Sequence, residues 1–232
     1  MNFAGLPERL AHIQSEIARR LAAGGWSHRV TIVAVTKGFG PEAVRAAVAA
    51  GLADVGENRV QEATEKMSQV PDIAATWHLI GHLQRNKAKL VPGRFALVHS
   101  VDSLDLSEEL GRRAAAAGVR QRVLVQVNLA GEEQKSGCAP EEARALVRRV
   151  AALESLALEG LMTMAPLTDE VEIQRRTFRG LRQLRDALQE EEKVWLPSLS
   201  MGMSADYATA VEEGATVIRL GTALFGARTT VE

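Results

Sequence analysis

One lysine of the chain stands just beyond a short apolar segment. Lys37 comes after Val33-Ala34-Val35 and precedes Gly38. A continuous apolar run rich in β-branched residues is typical of a strand buried on both faces of a parallel sheet, so Lys37 should project from a dry wall into a site. Burial there would favour the neutral amine, which is the nucleophile that forms a Schiff base with a carbonyl compound. The alternative is a lysine that packs its stem at the strand end and keeps its ammonium in water.

A second group of residues predicts an anion site. Residues 199–206 lead from a predicted strand into a predicted helix, and Ser204 stands near the helix start. N–H groups at a helix start, together with a serine hydroxyl, bind anions. The next predicted strand leads into residues 219–222, where Gly221 admits a ligand close to the backbone and Thr222 adds a donor. The alternative makes Ser204 an ordinary helix cap and Gly221 an ordinary turn residue.

Arg219 interrupts an otherwise apolar strand, Val217-Ile218-Arg219-Leu220. A guanidinium in such a place must find hydrogen-bond acceptors, because burying it unpaired is costly. An ion pair with Glu57 or Asp206 is one interpretation, and contact with a ligand is the other.

His78 and His82 are four residues apart, but they straddle the predicted end of a strand near Gly81, so their rings need not share a face. With no carboxylate ligand near them in sequence, we interpret both as structural histidines rather than metal ligands. The methionines of the strand ends are interpreted as core residues, and Cys138 is given no role. A basic group is interpreted as a solvated helix face, with attraction of an acidic partner or RNA as the alternative; its members are Arg85, Lys87, Lys89 and Arg94.

These residues would be positioned by strands and helices that alternate eight times. The predicted strands after the first end near Gly56, Gly81, Ser100, Asn128, Met162, Ser200 and Arg219. Such alternation predicts an α/β fold, a (β/α)₈ TIM barrel, with an open doubly wound sheet as the competing arrangement. Residues 1–25 carry an apolar helical stripe and should cover the place of an eighth outer helix. We predict one domain over residues 1–232, with the barrel over 30–228.

Composition narrows the classes of function. The chain has 232 residues, a formal charge of −1 and one cysteine. Balanced charge disfavours nucleic acid as a partner, and the absence of eighteen consecutive apolar residues disfavours a membrane span. The single cysteine suits a reducing compartment, and the first 25 residues lack the pattern of a secretory signal. We therefore expect a cytoplasmic protein.

Seven segments together resemble the pyridoxal phosphate homeostasis proteins, the YggS/PROSC family, and the resemblance runs from the first strand to the end of the chain. The segments are 34–37 (AVTK), 56–62 (GENRVQE), 77–87 (WHLIGHLQRNK), 126–128 (QVN), 160–162 (GLM), 199–204 (LSMGMS) and 219–226 (RLGTALFG). His82 departs from the pattern, since the family varies there, and it is given no function.

The resemblance implies a single-domain barrel of the alanine racemase type (fold type III) that holds pyridoxal 5'-phosphate as a Schiff base on Lys37. By the same resemblance Arg219 would face the pyridine nitrogen. The phosphate would bind to Ser204, Gly221 and Thr222, and the cofactor surroundings would include Asn58, Ile80 and Met201.

The implied chemistry is limited by Arg219. Pyridoxal catalysis works best when the ring nitrogen is protonated, and an arginine donates a hydrogen bond without releasing its proton. Racemisation also needs a second acid/base, which racemases with this barrel take from a tyrosine of a further domain, whereas this chain ends at Glu232 with Tyr207 as its one tyrosine.

We therefore expect a carrier or reservoir in vitamin B6 homeostasis rather than an enzyme, with pyridoxal-dependent apoenzymes as candidate partners and a monomeric state. The alternative is an amino-acid racemase in which Lys37 works alone or with His78 or Tyr207.

Overall fold

Eight parallel strands form a closed barrel in the computed structural model, which describes residues 3–131 and 136–227. The strands are β1 (Thr31–Val35), β2 (Asp54–Glu57), β3 (Thr76–Leu79), β4 (Leu97–Val101), β5 (Gln121–Gln126), β6 (Leu156–Met162), β7 (Ser198–Met203) and β8 (Val217–Leu220). Each strand pairs with its sequence neighbours, and β1 pairs with β8 through Thr31 and Val217, which closes the ring. The predicted TIM barrel is confirmed, and the open sheet is wrong. The predicted ends of the domain, at residues 1 and 232, and the predicted end of the barrel, at residue 228, lie outside the described residues.

Helices surround the barrel. They are α1 (Leu6–Gly24), α2 (Pro41–Ala49), α3 (Val60–Gln69), a 3₁₀ helix (Arg85–Leu90), α4 (Leu104–Ala116), α5 (Pro140–Ala151), α6 (Val171–Glu192), α7 (Tyr207–Glu212) and α8 (Thr222–Phe225). Proline opens α2 and α5, because its missing N–H is not needed in the first turn. Ser103 caps α4 by accepting a hydrogen bond from the N–H of Leu106 at 3.3 Å. The largest apolar core lies between the strands and these helices.

The N-terminal helix α1 packs against α7 and α8, which is the position predicted for it. Its buried stripe consists of Leu6, Leu10, Ile13 and Ile17. Arg20 pairs with Glu212 of α7, and Arg9 donates to the carbonyl of Leu224 in α8 at 2.6 Å. α1 therefore completes the outer layer beside the last strand, where α8 is only four residues long.

The barrel interior has an apolar part and a polar part. Leu97, Leu124 and Met162 form a small apolar cluster of their own, separate from the outer core. Beside it lie buried polar side chains, among them His78, His99, Ser200 and Arg219. Among the described helices, none combines the length and hydrophobicity that crossing a bilayer requires.

Candidate functional site

A cavity of about 370 Å³ lies at the carboxyl ends of the strands, where TIM barrels carry their functional residues. Its volume falls within the range of about 300–1,000 Å³ that is usual for small-molecule sites. The cavity brings together almost all the residues predicted to bind a cofactor, namely Lys37, Asn58, Ile80, Ser204, Arg219, Gly221 and Thr222. The structure thus joins segments that lie as far apart in sequence as the loops after β1 and β8.

Met201 is the exception. It lies in β7, is fully buried, and packs in the core between the barrel and the helices. Met203, two residues later, lines the cavity instead. Gly202 between them has a φ of 93°, and a Cβ there would come within 2.6 Å of the Ala210 side chain. This irregular backbone shifts the strand alternation, so that spacing alone could not assign the two methionines.

Lys37 lines the cavity, but the predicted burial of its side chain is wrong, because the residue is exposed. β1 ends at Val35, so Lys37 already stands beyond the barrel wall. Gly38 then turns the chain with a φ of 72°, and its N–H donates to Glu62 of α3 at 3.0 Å. The amine is therefore open to a ligand that enters the cavity.

A buried ion pair lies beneath the loop that carries Lys37. Lys66 of α3 pairs with Glu57 of β2, and their side chains are 5% and 0% exposed. Lys66 also donates to the carbonyl oxygen of Thr36 at 2.9 Å, while the Thr36 hydroxyl donates to Glu57 at 2.6 Å. Burial raises the pKa of Glu57 despite these donors. The cluster holds the peptide immediately before Lys37, and sequence reasoning assigned it no such role.

The loops after β7 and β8 meet at Ser204. The Ser204 hydroxyl oxygen accepts hydrogen bonds from the N–H groups of Gly221 at 3.2 Å and Ala223 at 3.1 Å. The ordinary N-cap interpretation of Ser204 is wrong, because Asp206 occupies the N-cap position of α7. Since Ser204 accepts two N–H groups, its own O–H remains available as a donor. Two backbone N–H groups thus fix the Ser204 hydroxyl at one side of the cavity, beside Gly221 and Thr222.

Gly221 is not required by the protein's own packing. Its φ of −110° is ordinary, and a Cβ would meet its nearest protein atoms, the oxygen and Cβ of Val35, at 3.6 and 3.7 Å. These are normal van der Waals distances. The space that Gly221 leaves on the cavity wall is therefore available to a ligand, which is the arrangement expected of a phosphate-binding loop.

Arg219 lies in the cavity floor and is 4% exposed. Its guanidinium donates to the Ser200 hydroxyl at 2.7 Å and to the Thr163 carbonyl at 3.0 Å. Burial lowers the pKa of Arg219 to about 10, while the charge of Asp206 acts in the opposite direction, so the guanidinium stays protonated at neutral pH. The predicted alternative of an ion pair with Glu57 is wrong, since Glu57 pairs with Lys66.

Asn58 and Ile80 are brought to the cavity by a close approach of two loops. A Cβ on Gly81 would come within 2.4 Å of the Asn58 carbonyl oxygen, so only glycine fits where the loop after β3 crosses the loop after β2. The sequence shows Gly81 only as the end of a strand. The close approach that requires it depends on two strands being neighbours, as β2 and β3 are.

The two histidines of this region belong to different places. His78 is buried inside the barrel, where it contacts Asp54 and His99 at 2.9 Å each. His82 is exposed on the cavity wall and contacts Asp102 at 3.1 Å. Both have a carboxylate partner that the sequence did not reveal. Within the described residues no group of three metal-ligating side chains occurs.

Further residues line the cavity without having been predicted as part of a site: Val35, Phe39, Gly81, His82, Gln126, Ser136, Met164, Met203 and Ala205. Gln126 and Met164 had sequence signals, since both stand at or just beyond the end of a predicted strand. The others follow from the folding of the loops. Phe39, for example, packs on Phe225 of α8 with ring centroids 5.3 Å apart, which ties the loop after β1 to that after β8.

Comparison with known proteins defines the class of barrel. Residues 9–229 match the family model of the alanine racemase N-terminal domain. An alanine racemase of Clostridium difficile is 18% identical, with a TM-score of 0.74 over 94% of this chain and 61% of that one. This likeness shows a shared fold.

Closer relatives define the family. The pyridoxal phosphate homeostasis protein of Aquifex aeolicus is 42% identical over 95% of this chain and 97% of its own length. That of Pseudomonas aeruginosa is 42% identical over 96% of both chains. The structure of PipY from Synechococcus elongatus with PLP bound is 38% identical, with a TM-score of 0.85 over 95% of this chain and 100% of that one. The chain belongs to the pyridoxal phosphate homeostasis protein family, as its motifs predicted.

Proposed function

We propose that the chain binds pyridoxal 5'-phosphate through a Schiff base with Lys37 and serves as a carrier or reservoir in the homeostasis of this cofactor. Membership of the family supports the role, and PipY with PLP bound supports the ligand. The observation that carries the proposal is the cavity itself, which joins an accessible lysine amine, two hydroxyl side chains beside a glycine, and a buried guanidinium.

The residues present fit this ligand. Ser204, Gly221 and Thr222 would hold the phosphate, since the Ser204 hydroxyl is oriented to donate and lies with Thr222 beside a glycine whose missing side chain leaves room. Arg219 would hold the ring nitrogen, and Asn58 and Ile80 would line the ring. Met201 is not proposed as a cofactor contact, because its side chain lies in the outer core.

Arg219 limits the chemistry that the site can support. When bound, pyridoxal phosphate supplies an electron-withdrawing ring that stabilises a carbanion best with its nitrogen protonated. The Arg219 guanidinium keeps its proton at neutral pH and is fixed by two neutral acceptors, so it donates a hydrogen bond to the nitrogen without protonating it. This supports a protein that holds the cofactor and does not turn over efficiently.

The amino-acid racemase remains as a second candidate, and one observation favours it. His82 lines the same cavity as Lys37 and contacts Asp102, and an imidazole beside a carboxylate is a common acid/base group in enzymes. The partners considered from sequence have less support: His78 lies within the barrel, and Tyr207 is half-buried outside the cavity lining, where burial and then the charge of Glu16 raise its pKa.

Two measurements separate the candidates. Titration of the protein with pyridoxal 5'-phosphate should give a visible absorbance band that is absent in the Lys37→Ala variant. With the ligand bound, a panel of amino acids in deuterium oxide should show no enzyme-dependent deuterium at the α carbon. Deuterium entry at roughly one turnover per second or faster, lost in His82→Gln, would establish the racemase and refute the carrier.

The remaining parts of the proposal concern the protein's setting. We propose a single domain, a monomer in the cytoplasm, and delivery of the cofactor to pyridoxal-dependent apoenzymes. Cys138 is a buried free cysteine, and burial and then the charge of Glu142 raise the pKa of its thiol to about 12. A protonated, buried thiol is compatible with a reducing compartment.

A further inference from the structure

A continuous line of hydrogen bonds crosses the barrel interior, from the amino ends of the strands to the cavity floor. Asp54, the first residue of β2, contacts Nε2 of His78 at 2.9 Å. Nδ1 of His78 contacts Nε2 of His99 at 2.9 Å, and the two rings meet edge to face. Nδ1 of His99 contacts the Ser200 hydroxyl at 2.8 Å, and Ser200 in turn contacts Arg219.

The chemistry of its two ends fixes the direction of this line. A guanidinium only donates, so the Ser200 oxygen accepts from Arg219, and because the Asp54 carboxylate at the other end only accepts and the imidazoles are neutral, the Ser200 O–H serves Nδ1 of His99. His99 then carries its proton on Nε2 and donates to Nδ1 of His78. A neutral His78 carries its proton on Nε2 and donates to the Asp54 carboxylate, which only accepts. Every link therefore points from Arg219 to Asp54.

Burial supports the neutral state on which this direction depends. His99 is fully buried, and burial above all lowers its pKa well below the ordinary value, with the charge of Arg219 acting in the same direction. The charged groups around the line are Arg219 at the cavity, Asp54 at the opposite end, and Arg122, whose charge acts on both His99 and Asp54. Arg122 is itself paired with Glu159.

We propose that Ser200, His99, His78 and Asp54 are positioning residues for Arg219, and that their one-directional hydrogen-bond chain holds the guanidinium in place at the cavity floor. These hydrogen bonds give the buried Arg219 guanidinium a fixed acceptor, the Ser200 oxygen. Each donor in turn polarises the next, as far as the partly exposed Asp54 carboxylate. The effect on ligand binding rests on the proposed function, in which Arg219 meets the ring nitrogen. The proton positions do not depend on it.

The proton positions can be measured without any ligand. The chain has five histidines, so side-chain nitrogen NMR of protein labelled with ¹⁵N at histidine gives a spectrum that single substitutions can assign. We expect His99 to be neutral, with Nε2 protonated and Nδ1 unprotonated. In Asp54→Ala the His78 N–H loses its acceptor, and the His99 pattern should change. In Asp54→Asn, whose amide oxygen can still accept, it should be retained.

His82 provides the matched control. Asp102→Ala removes the carboxylate partner of another histidine, and it should alter the His82 signals while leaving His99 unchanged. A His99 that carries its proton on Nδ1 in the unsubstituted protein would overturn the proposal. So would a His99 pattern that is the same in Asp54→Ala.

Affinity for pyridoxal 5'-phosphate gives the second readout. Asp54→Ala should weaken binding about threefold to tenfold, because Arg219 loses part of its support, and Asp54→Asn should restore most of it. Unchanged affinity in Asp54→Ala, together with an altered His99 pattern, would refute the positioning role. Failure of the unsubstituted protein to bind the ligand would refute the proposed function instead. The NMR result would still show whether the hydrogen bonds run from Arg219 to Asp54.

Discussion

Replacing Lys66 by methionine tests the buried ion pair beneath Lys37. Among the described residues, the change leaves the fully buried Glu57 carboxylate with one hydrogen-bond donor, the Thr36 hydroxyl. Its other oxygen, Oε2, has no hydrogen-bond partner among them even before the change. Removing one partner of a buried ion pair costs about 3–5 kcal/mol. The Thr36 carbonyl also loses a donor, worth about 1 kcal/mol. We expect the free energy of unfolding to fall by about 3–5 kcal/mol in total, because Glu57 can take up a proton.

The pH dependence of this loss has a defined sign. Burial raises the pKa of Glu57 in the folded state above its ordinary value of 4.5. A carboxyl with a raised folded pKa contributes stability that is present below the unfolded value and is lost as the pH rises through the folded value. Without Lys66 the buried charge is less compensated, so the variant should be closer to the unsubstituted protein near about pH 5 than near about pH 8.

Urea unfolding at both pH values is the assay, with a hydrophobic double variant as the comparison. Glu57→Leu with Lys66→Met removes both charges and should regain most of the stability lost in the single variant. Arg45→Met breaks the exposed pair with Asp72, at 2.7 Å, and should change little. A Lys66→Met loss below about 1 kcal/mol, or a double variant no more stable than the single one, would refute this reasoning.

Other substitutions and reagents test separate parts of the structure. Gly221→Ala should weaken binding of pyridoxal 5'-phosphate at least about tenfold while the free energy of unfolding stays the same, whereas Gly180→Ala in α6 should leave affinity unchanged. Glu213→Gln should lower the free energy of unfolding at pH 7 by about 1.5–3 kcal/mol, the range for hydrogen bonds to a charged group. Burial opposes ionisation of Glu213, but hydrogen bonds from three arginines of α6 lower its pKa, so this contribution should be lost as the pH falls from 4.5 through the lowered folded pKa. Cys138, with a thiol pKa raised to about 12 by burial, should resist alkylation in the native protein and react once it is unfolded.

The order of strands and helices could be predicted because each element carries a local signal. The apolar run at Thr31–Val35 matches β1, and the stripe that starts at Leu6 matches α1. Pro41 and Pro140 mark helix starts where the structure has them. Local signals of this kind depend on backbone sterics and side-chain periodicity, which are properties of the segment alone.

The site could be predicted as a group of residues but not as a set of contacts. Lys37 was expected to be buried, because the strand before it is buried, but the strand ends two residues earlier and the side chain is exposed. Met201 and Met203 exchange roles through an irregularity at Gly202. Such details depend on the exact residue at which a strand ends or its backbone becomes irregular.

The polar chain through the barrel was beyond sequence reasoning for a different reason. His78 and His99 are 21 residues apart, and His99 and Ser200 are 101 apart. They meet because the tilt and register of the barrel bring inward-facing residues of β3, β4 and β7 within hydrogen-bond distance of one another. A pattern search that examines spacing within one element cannot find contacts of this kind.

The most direct test of the central claim is to identify the residue that holds the cofactor. The protein is mixed with pyridoxal 5'-phosphate, reduced with borohydride, digested and mapped by mass spectrometry, beside Lys37→Ala and the control Lys89→Ala. We predict a reduced adduct on Lys37, which should persist in Lys89→Ala and disappear in Lys37→Ala. An adduct on another lysine, or equal labelling of the Lys37→Ala variant, would contradict the assignment of this cavity as the cofactor site.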